Sequence, residues 1–402
     1  MQILKFQFED KSEGWRLNET TFNDPLTLLV GASGVGKTLI LRSLKLMKLI
    51  VEGNSYKGAE WNIEYVADDG ARHTWGGAFL NRGLSDSNWR EQDSNRNKYS
   101  QIEHERLTIN GQDLVIRDTD GISFKEKSIS LKLSPQESIF KLFREEEQIK
   151  PAYEGICKMD YTDHTFSAGS NLKVTRMNHP IFVDLAASLS KKPECPDCLT
   201  DIRNSDFSLA SRLYLVQKYH QDTFNLIQSL FIKIFPQVTG IKSDVLEDND
   251  NNLLPHIKEG IFVQIQEEGV HHWIWPNRIS SGMYRTLMQL CDLYLCPDGT
   301  VFLIDEFENS LGINCMDEIT EAMVAQDRPL QFIVTSHHPY IINKIPPRYW
   351  KLVTRNGGEV RTHSLADLGC DFSKSKHENF MQLMQLDEFH TGQEQEIAGA
   401  GK

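Results

Sequence analysis

The stretch "LLVGASGVGKT", residues 28–38, carries the strongest information about the fold. A short apolar segment at 26–30 runs into a loop with three glycines, and the loop ends in Lys37 and Thr38. From Thr38 onward, apolar residues recur at helical spacing until Gly53, where the helix is predicted to end. The order of strand, glycine-rich loop and helix is typical of an anion-binding turn at a helix N-terminus.

The loop matches the phosphate-loop pattern, with glycines, a lysine and a hydroxyl residue at the required positions. Backbone N–H groups can curl around phosphate oxygens only where side chains leave room, which explains the glycines. We expect Lys37 to bridge the outer phosphates of ATP and Thr38 to ligate Mg²⁺. The alternative is a glycine-rich turn before an ordinary helix. The predicted ATP-binding residues are Gly31, Ser33, Gly34, Gly36, Lys37 and Thr38.

Composition sets limits on the partners. The chain has 402 residues, 40% of them hydrophobic and 25% charged, as in ordinary soluble globular proteins. Its formal net charge of −13 argues against a surface that is basic all over, so any DNA contact must come from a local patch. Arg203, Arg212, Lys218 and His220 could form such a patch, although their acidic neighbours favour a solvated face. No run approaches 18 consecutive apolar residues, so no membrane partner is expected.

The cysteines bear on compartment and metal binding. Seven cysteines without a secretory signal at the N-terminus favour a reducing compartment, and we expect a cytoplasmic protein. Cys195 and Cys198 enclose a Pro-Asp pair, a spacing that can supply half of a tetrahedral zinc site. A tight turn with two ordinary cysteines is the alternative.

The hydrophobic period changes along the chain. Between 61 and 133 it is two, with turn signals between short segments, which predicts an antiparallel β lobe. The stretch 135–236 is predicted to be mostly helical, with its strongest segment at 207–235. Further on we expect a helix at 281–295 and a buried strand at 301–304.

The segment "VFLIDEFENS", residues 301–310, ends an apolar run in two adjacent carboxylates. A buried parallel strand would deliver Asp305 to the Mg²⁺ shell. Glu306, one residue further, could polarise the water that attacks a phosphate. Downstream of a phosphate loop, this pattern favours a catalytic interpretation.

The segment "RISSGMYRT", residues 278–286, resembles the signature motif of ABC-type ATPases. Ser280, Ser281, Gly282 and Met283 stand in place of its usual serine, two glycines and glutamine. The resemblance implies that these residues close on the γ-phosphate bound by a partner subunit. An ordinary helix N-cap is the alternative, since serine suits that position as well.

Two further positions match the same class. In "FIVTSHHPYII", residues 332–342, His337 lies where these ATPases carry a histidine that touches the γ-phosphate, and His338 replaces the usual serine. In "LKLSPQESIF", residues 131–140, Gln136 follows a β segment, where the class has a glutamine that bridges Mg²⁺ and water.

Together the motifs resemble soluble ABC-type ATPases of the SMC, RecF and OLD-like branch, over residues 1–53 and 278–345. The implied fold is an α/β P-loop NTPase head, with a mixed central sheet, an antiparallel β lobe and a helical insertion. The implied cofactors are ATP and Mg²⁺. The predicted boundaries are 1–135 for the first part of the head, 136–240 for the helical insertion, 241–365 for the second part of the head and 366–402 for a C-terminal tail.

The resemblance also implies partners. Two copies of the chain would sandwich two ATP molecules as a dimer or larger assembly. Size and layout are similar to the stand-alone ATPases of antiphage systems such as Septu or PARIS, in which a separate effector, for example a nuclease, does the damage. Two alternatives stay open: a DNA-repair type ATPase acting directly on DNA ends, and a nucleotide-gated scaffold with little hydrolysis.

Overall fold

The computed structural model describes residues 1–81, 100–118, 121–129, 134–162, 180–191, 196–247, 259–309, 313–325, 327–364, 366–369 and 375–393. The chain divides into two compact units. The first comprises 1–162, 299–307 and 326–402, and the second comprises 163–298 and 308–325.

The first unit is built on one large mixed sheet, which has fourteen strands among the described residues. In chain order they are β1 (Gln2–Asp10), β2 (Trp15–Thr21), β3 (Leu26–Val30), β4 (Ala59–Val66), β5 (Arg72–Phe79), β6 (Ile102–Ile109), β7 (Gln112–Arg117), β8 (Ile122–Phe124), β9 (Lys127–Ile129), β10 (Met159–Thr162), β13 (Val301–Ile304), β14 (Gln331–Thr335), β15 (Trp350–Asn356) and β16 (Glu359–Ser364). Two further strands, β11 (Val238–Glu247) and β12 (Glu259–Glu267), belong to the second unit. Their order across the sheet is β10-β13-β14-β3-β15-β16-β2-β1-β4-β5-β6-β7-β8-β9.

Helices accompany this sheet on the same unit. They are α1 (Lys37–Val51), α2 (Ile139–Phe143), α3 (Lys150–Cys157), α10 (Pro339–Lys344), α11 (Lys376–Gln385) and α12 (Asp387–Thr391), with a 3₁₀ turn at Pro347–Tyr349. The second unit contains α4 (Pro180–Lys191), α5 (Pro196–Arg203), α6 (Leu209–Tyr219), α7 (Gln221–Ile234), β11 (Val238–Glu247), β12 (Glu259–Glu267), a 3₁₀ turn at Pro276–Arg278, α8 (Ser281–Leu295) and α9 (Ile313–Val324).

Parallel strands form one end of the sheet. Each residue of β3, β13 and β14 is buried, and the three strands run almost without polar residues, as expected for strands covered on both faces. Val334 pairs with Ile304 on one side and with Leu28 on the other. The register therefore brings the carboxyl ends of the three strands to one edge of the sheet, where the phosphate loop also begins.

Antiparallel strands form the other end, as the period of two predicts. Their inner face carries an aromatic cluster in which the Trp61 ring lies 5.1 Å from Trp75 and 5.5 Å from Phe79. Phe140 of α2 packs against Trp75 at 5.2 Å. Because α2 and α3 bury their apolar faces in this same core, residues 136–162 belong to the first unit rather than to a helical insertion beginning at 136.

The second unit is mostly helical and includes the antiparallel pair β11 and β12. The helical stretch predicted at 207–235 is two helices, which meet at His220 in a non-helical conformation. Helix α8 spans the predicted residues 281–295, and the boundary expected at 241 does not divide this unit. Within the described part of the chain, no helix combines the length and apolar character needed to span a membrane.

A buried ion pair ties the β lobe to the segment before α2. The Glu105 carboxylate accepts hydrogen bonds from Trp75 Nε1 at 2.9 Å, from the Ser138 hydroxyl and from Ile139 N at 2.8 Å. Arg117 lies 4.0 Å from Glu105 and donates to two backbone carbonyls of residues 134–137. Burial raises the pKa of Glu105, while these donors and Arg117 act in the opposite direction. The network thus fixes the backbone on both sides of Gln136.

Replacing this carboxylate is expected to destabilise the fold. Glu105→Ala leaves the Arg117 charge buried without its partner, so the free energy of unfolding should fall by about 3–5 kcal/mol. Asp113→Ala is the matched control, because it breaks an exposed arginine–carboxylate pair, with Arg106, on the same two strands. We expect that control to cost less than about 1 kcal/mol. Urea unfolding of both variants measures the difference, and equal losses would contradict the role given to the network.

Candidate functional site

The phosphate loop lies between the buried strand β3 and helix α1. Gly31 and Gly36 have φ of +140° and +106°, conformations that favour glycine. A Cβ atom would lie 2.6 Å from the Val353 carbonyl oxygen at Gly31, and 3.0 Å from a Val360 methyl group at Gly36. Gly36 is also the N-cap of α1 and has no side chain to cap the helix, and N–H groups at a helix N-terminus are donors that suit an anion. The loop therefore has the backbone of an anion-binding turn.

Lys37 folds back over this loop. Its Nζ donates to the carbonyl oxygens of Gly31 and Ala32 at 2.8 and 2.7 Å. The ammonium group is thus held at the start of the loop, by the two carbonyl groups that precede the exposed residues Ser33 and Gly34 in sequence. A cation in this position adds to the positive end of the helix dipole and favours a phosphate ligand.

Asp305 follows β13 directly and joins the loop to the next strand. It is 9% exposed, and its Oδ1 accepts hydrogen bonds from Thr38 Oγ1 at 3.2 Å and from Thr335 Oγ1 at 2.6 Å. The structure therefore brings the two predicted Mg²⁺ ligands Thr38 and Asp305 together. A hydroxyl and a carboxylate oxygen are the hard donors that Mg²⁺ prefers.

Thr335 was not among the residues predicted from sequence. It ends β14, is 1% exposed, and its hydroxyl donates to Asp305 while accepting a 2.7 Å hydrogen bond from Glu306 N. The available signal was its place as the first polar side chain after an apolar run, one strand away from Asp305. That signal becomes specific only once the parallel pairing of β13 and β14 is known.

Glu306 adopts a backbone conformation that is rare for a residue with a side chain. Its φ is +47°, which costs about 1–3 kcal/mol and persists only where the surrounding structure holds it. Two hydrogen bonds to Thr335 hold the turn: Glu306 N to its hydroxyl, and Phe307 N to its carbonyl oxygen at 3.0 Å. The turn buries Asp305 and leaves the Glu306 side chain exposed, so two adjacent carboxylates have different surroundings.

The two histidines after β14 also differ. His338 Nδ1 accepts a hydrogen bond from Tyr340 N at 3.2 Å and caps α10. His337 is exposed beside the buried Ser336, whose N–H donates to the Leu29 carbonyl oxygen of β3. The structure thus gives His338 a capping role and places His337 on the edge of the sheet that carries Asp305.

The other predicted residues have contacts of a different kind. Gln136 is half-buried in the segment fixed by Arg117, and its role at Mg²⁺ stays a prediction. Ser280 caps α8 of the second unit, its Oγ accepting from Met283 N at 3.2 Å, with Ser281 and Gly282 in the first turn. Ser280 therefore fills the capping role of the alternative interpretation, while the action of these three residues on a partner's nucleotide stays a prediction.

Cys198, Arg203 and Arg212 belong to the second unit. Cys198 is disulfide-bonded, a state in which sulfur is not a thiolate ligand for zinc, and Cys195 lies outside the described residues. Arg203 donates to the Tyr294 carbonyl oxygen, and Arg212 to those of Leu295 and Ser205. These arginines stabilise their own unit through internal hydrogen bonds.

Parts of the chain are similar to one family model and to solved structures. A family model described as "AAA domain, putative AbiEii toxin, Type IV TA system" matches residues 177–343, a span that includes Asp305, Glu306 and His337 but not the phosphate loop. This match supports an ATPase of the P-loop class. No curated protein matches the chain.

The chain is also similar to solved SMC heads. A SmcHead bound to the C-winged helix domain of ScpA is 11% identical, covers 92% of this chain and 100% of that one, and has a TM-score of 0.49. An SMC head domain with an extended coiled coil, bound to the C-terminal domain of ScpA derived from Pyrococcus furiosus, is 12% identical, with 92% and 98% covered and a TM-score of 0.47. The SMC head domain from Thermotoga maritima is 11% identical, with 90% and 99% covered and a TM-score of 0.41.

The hydroxyl of Thr335 provides a test of the site's construction. Thr335→Val keeps the shape of the side chain but leaves Asp305 and the Glu306 N–H without this partner, so the free energy of unfolding should fall by about 1–3 kcal/mol. Thr335→Ser retains the hydroxyl and is expected to lose less. Denaturant titration compares the two variants, and a serine variant as unstable as the valine variant would assign the effect to the methyl group instead.

Proposed function

We propose that this chain is an ATPase that binds ATP with Mg²⁺ and hydrolyses it at the edge of the large sheet. The observation that carries the proposal is the hydrogen-bonded group of Thr38, Asp305, Thr335 and Glu306, adjoining a phosphate loop with the required backbone. These groups support the proposal because phosphoryl transfer uses a backbone cradle for the phosphates, oxygen ligands for the metal ion and a carboxylate that can reach water.

Thr38 and Asp305 are the residues that would hold Mg²⁺. Their oxygens already approach within 3.2 Å, and Asp305 Oδ1 is turned toward α1 by the second donor, Thr335. When bound with ATP, the ion would neutralise negative charge on the phosphate oxygens. Lys37 would exchange the carbonyl oxygens that it now contacts for phosphate oxygens, which are stronger acceptors for an ammonium group.

Glu306 is the residue proposed to act on water. Its carboxylate accepts a hydrogen bond from the attacking water and takes its proton, as the water oxygen bonds to the γ-phosphorus and the bond to the ADP oxygen breaks. The turn fixed by Thr335 places this carboxylate next to Asp305, outside the buried shell. His337 is proposed to contact the γ-phosphate and to report its loss.

Two copies of the chain are proposed to complete each site. Ser280, Ser281 and Gly282 of the partner would close on the γ-phosphate with the first N–H groups of α8. ATP would stabilise the closed pair because only that state contacts the γ-phosphate twice, and hydrolysis would remove the difference.

The output is proposed to pass to a separate effector. Support comes from the similarity in size and layout to stand-alone ATPases of antiphage systems and from the matched family, whose description names a putative toxin of a type IV toxin–antitoxin system. On this view the ATPase is a cytoplasmic sensor, and the effector, for example a nuclease, is encoded as another chain. Co-purification from the native host tests this part independently of catalysis.

Glu306→Gln tests the catalytic proposal. Loss of the proton acceptor should lower ATP turnover by roughly 10²–10⁴-fold while leaving nucleotide affinity unchanged. Glu308→Gln, a second carboxylate two residues further along, serves as the matched control and should keep most of the turnover. Phosphate release under saturating ATP and Mg²⁺ measures both, and equal turnover of Glu306→Gln and the parent would exclude this role.

The native mass tests assembly. With ATP and Mg²⁺, Glu306→Gln should accumulate as a dimer or larger assembly, since it binds ATP and cannot release the γ-phosphate. Adding Ser281→Arg to this variant should restore the smaller species by crowding the partner's phosphate. Light scattering after gel filtration provides the measurement, and a mass independent of nucleotide in every variant would count against the shared site.

A further inference from the structure

The C-terminal segment of the first unit reaches the phosphate loop. Gly392 ends α12 in a left-handed conformation, with φ of +69°, and is buried. A Cβ atom built on Gly392 would overlap a Val35 methyl group and would lie 3.4 Å from the Ala32 Cβ. Gly392 therefore packs directly on the outer turn of the loop, with no space for a side chain between them.

The sheet holds Gly392 in this position. Its carbonyl oxygen accepts a 2.7 Å hydrogen bond from Arg355 N at the end of β15, and its own N–H donates to Glu388 at 2.9 Å. The neighbouring β15 and β16 also supply the contacts at Gly31 and Gly36. Later parts of the chain thus contact the phosphate loop at three points: Val353 of β15, Val360 of β16 and Gly392.

The other end of the same segment reaches the histidine loop. Helix α11 begins with a capping box formed by Ser375 and Glu378, packs against α10 and includes the fully buried Leu383. Helix α10 starts immediately after His337 and is capped by His338. The segment 375–392 therefore contacts the phosphate loop at one end and the helix after His337 at the other.

We propose that the segment 375–392 is a positioning element of the nucleotide site. Gly392 supports the outer turn of the phosphate loop in the conformation that accepts a triphosphate, and α11 links that support to the histidine loop. Because residues 32–35 form a bend and a turn outside any helix or strand, these packing contacts contribute to their position. The inference rests on the proposed nucleotide binding and adds the residues that control its affinity.

Gly392→Ala is the primary test. The added methyl group must displace either the segment or the loop, and overpacking of this kind should weaken Mg²⁺–ATP binding by about tenfold. Gly369→Ala is the matched control: its φ is +71°, so it carries the same backbone strain, but no atom lies within 4 Å of the added Cβ. Isothermal titration of both variants, with thermal unfolding alongside, separates affinity from stability.

A second substitution tests whether the contact itself is responsible. Val35→Ala removes the methyl group that the new Cβ would overlap, leaving Ala32 as its nearest neighbour. Adding Gly392→Ala to Val35→Ala should therefore cost less than threefold in affinity, compared with about tenfold in the parent. Equal losses in the two backgrounds, or unchanged or tighter binding by Gly392→Ala, would overturn the proposal.

Hydrogen exchange of the unmodified protein keeps the proposal testable should Gly392→Ala fail to fold. Saturating Mg²⁺–ATP is expected to slow exchange in peptides that cover 386–393 at least threefold, because bound phosphate stabilises the loop against which they pack. Unchanged exchange there, in a protein shown to bind ATP, would overturn the inference. A parent protein that binds no ATP, or binds it equally well as Lys37→Ala, would instead contradict the proposed function.

Discussion

The carboxylate of Asp305 is the group on which the arrangement of the site depends. It is almost fully buried at the end of a parallel strand, where an unpaired carboxylate would be costly. Two hydroxyl groups satisfy it, Thr38 from the helix after β3 and Thr335 from the end of β14. One side chain thus connects three neighbouring strands at the edge where their loops emerge, so the position of each loop depends on the other two.

Thr335 extends this constraint to the turn at Glu306. Because its hydroxyl accepts the Glu306 N–H as well as donating to Asp305, it stabilises a left-handed backbone at Glu306 that the residue would not adopt alone. The result is a division between two adjacent carboxylates, one buried among donors and one exposed. The roles proposed for Asp305 as metal ligand and for Glu306 as proton acceptor need these opposite environments, and a single threonine on the next strand maintains the difference.

Packing from distant parts of the chain supports the same edge. The phosphate loop contacts the β15–β16 hairpin at Gly31 and Gly36 and the C-terminal segment at Gly392. On the β lobe, the buried pair of Glu105 and Arg117 fixes the backbone around Gln136. The contacts at Gly31, Gly36 and Gly392 join residues more than 300 positions apart in sequence, which is why no local pattern pointed to them.

What the sequence determined by itself is the chemistry that local patterns encode. Glycine spacing, a following amphipathic helix and apolar runs ending in polar residues were enough to predict the phosphate loop, the strand before Asp305 and helix 281–295, since each depends on neighbours along the chain. Only the tertiary structure decided that Thr335 joins Asp305 to Glu306, that α2 and α3 belong to the β-lobe core, and that Gly392 closes on the phosphate loop. These contacts arise from strand pairing and side-chain packing between distant segments, and neither the order of strands nor the fit of side chains is encoded in hydrophobic periodicity.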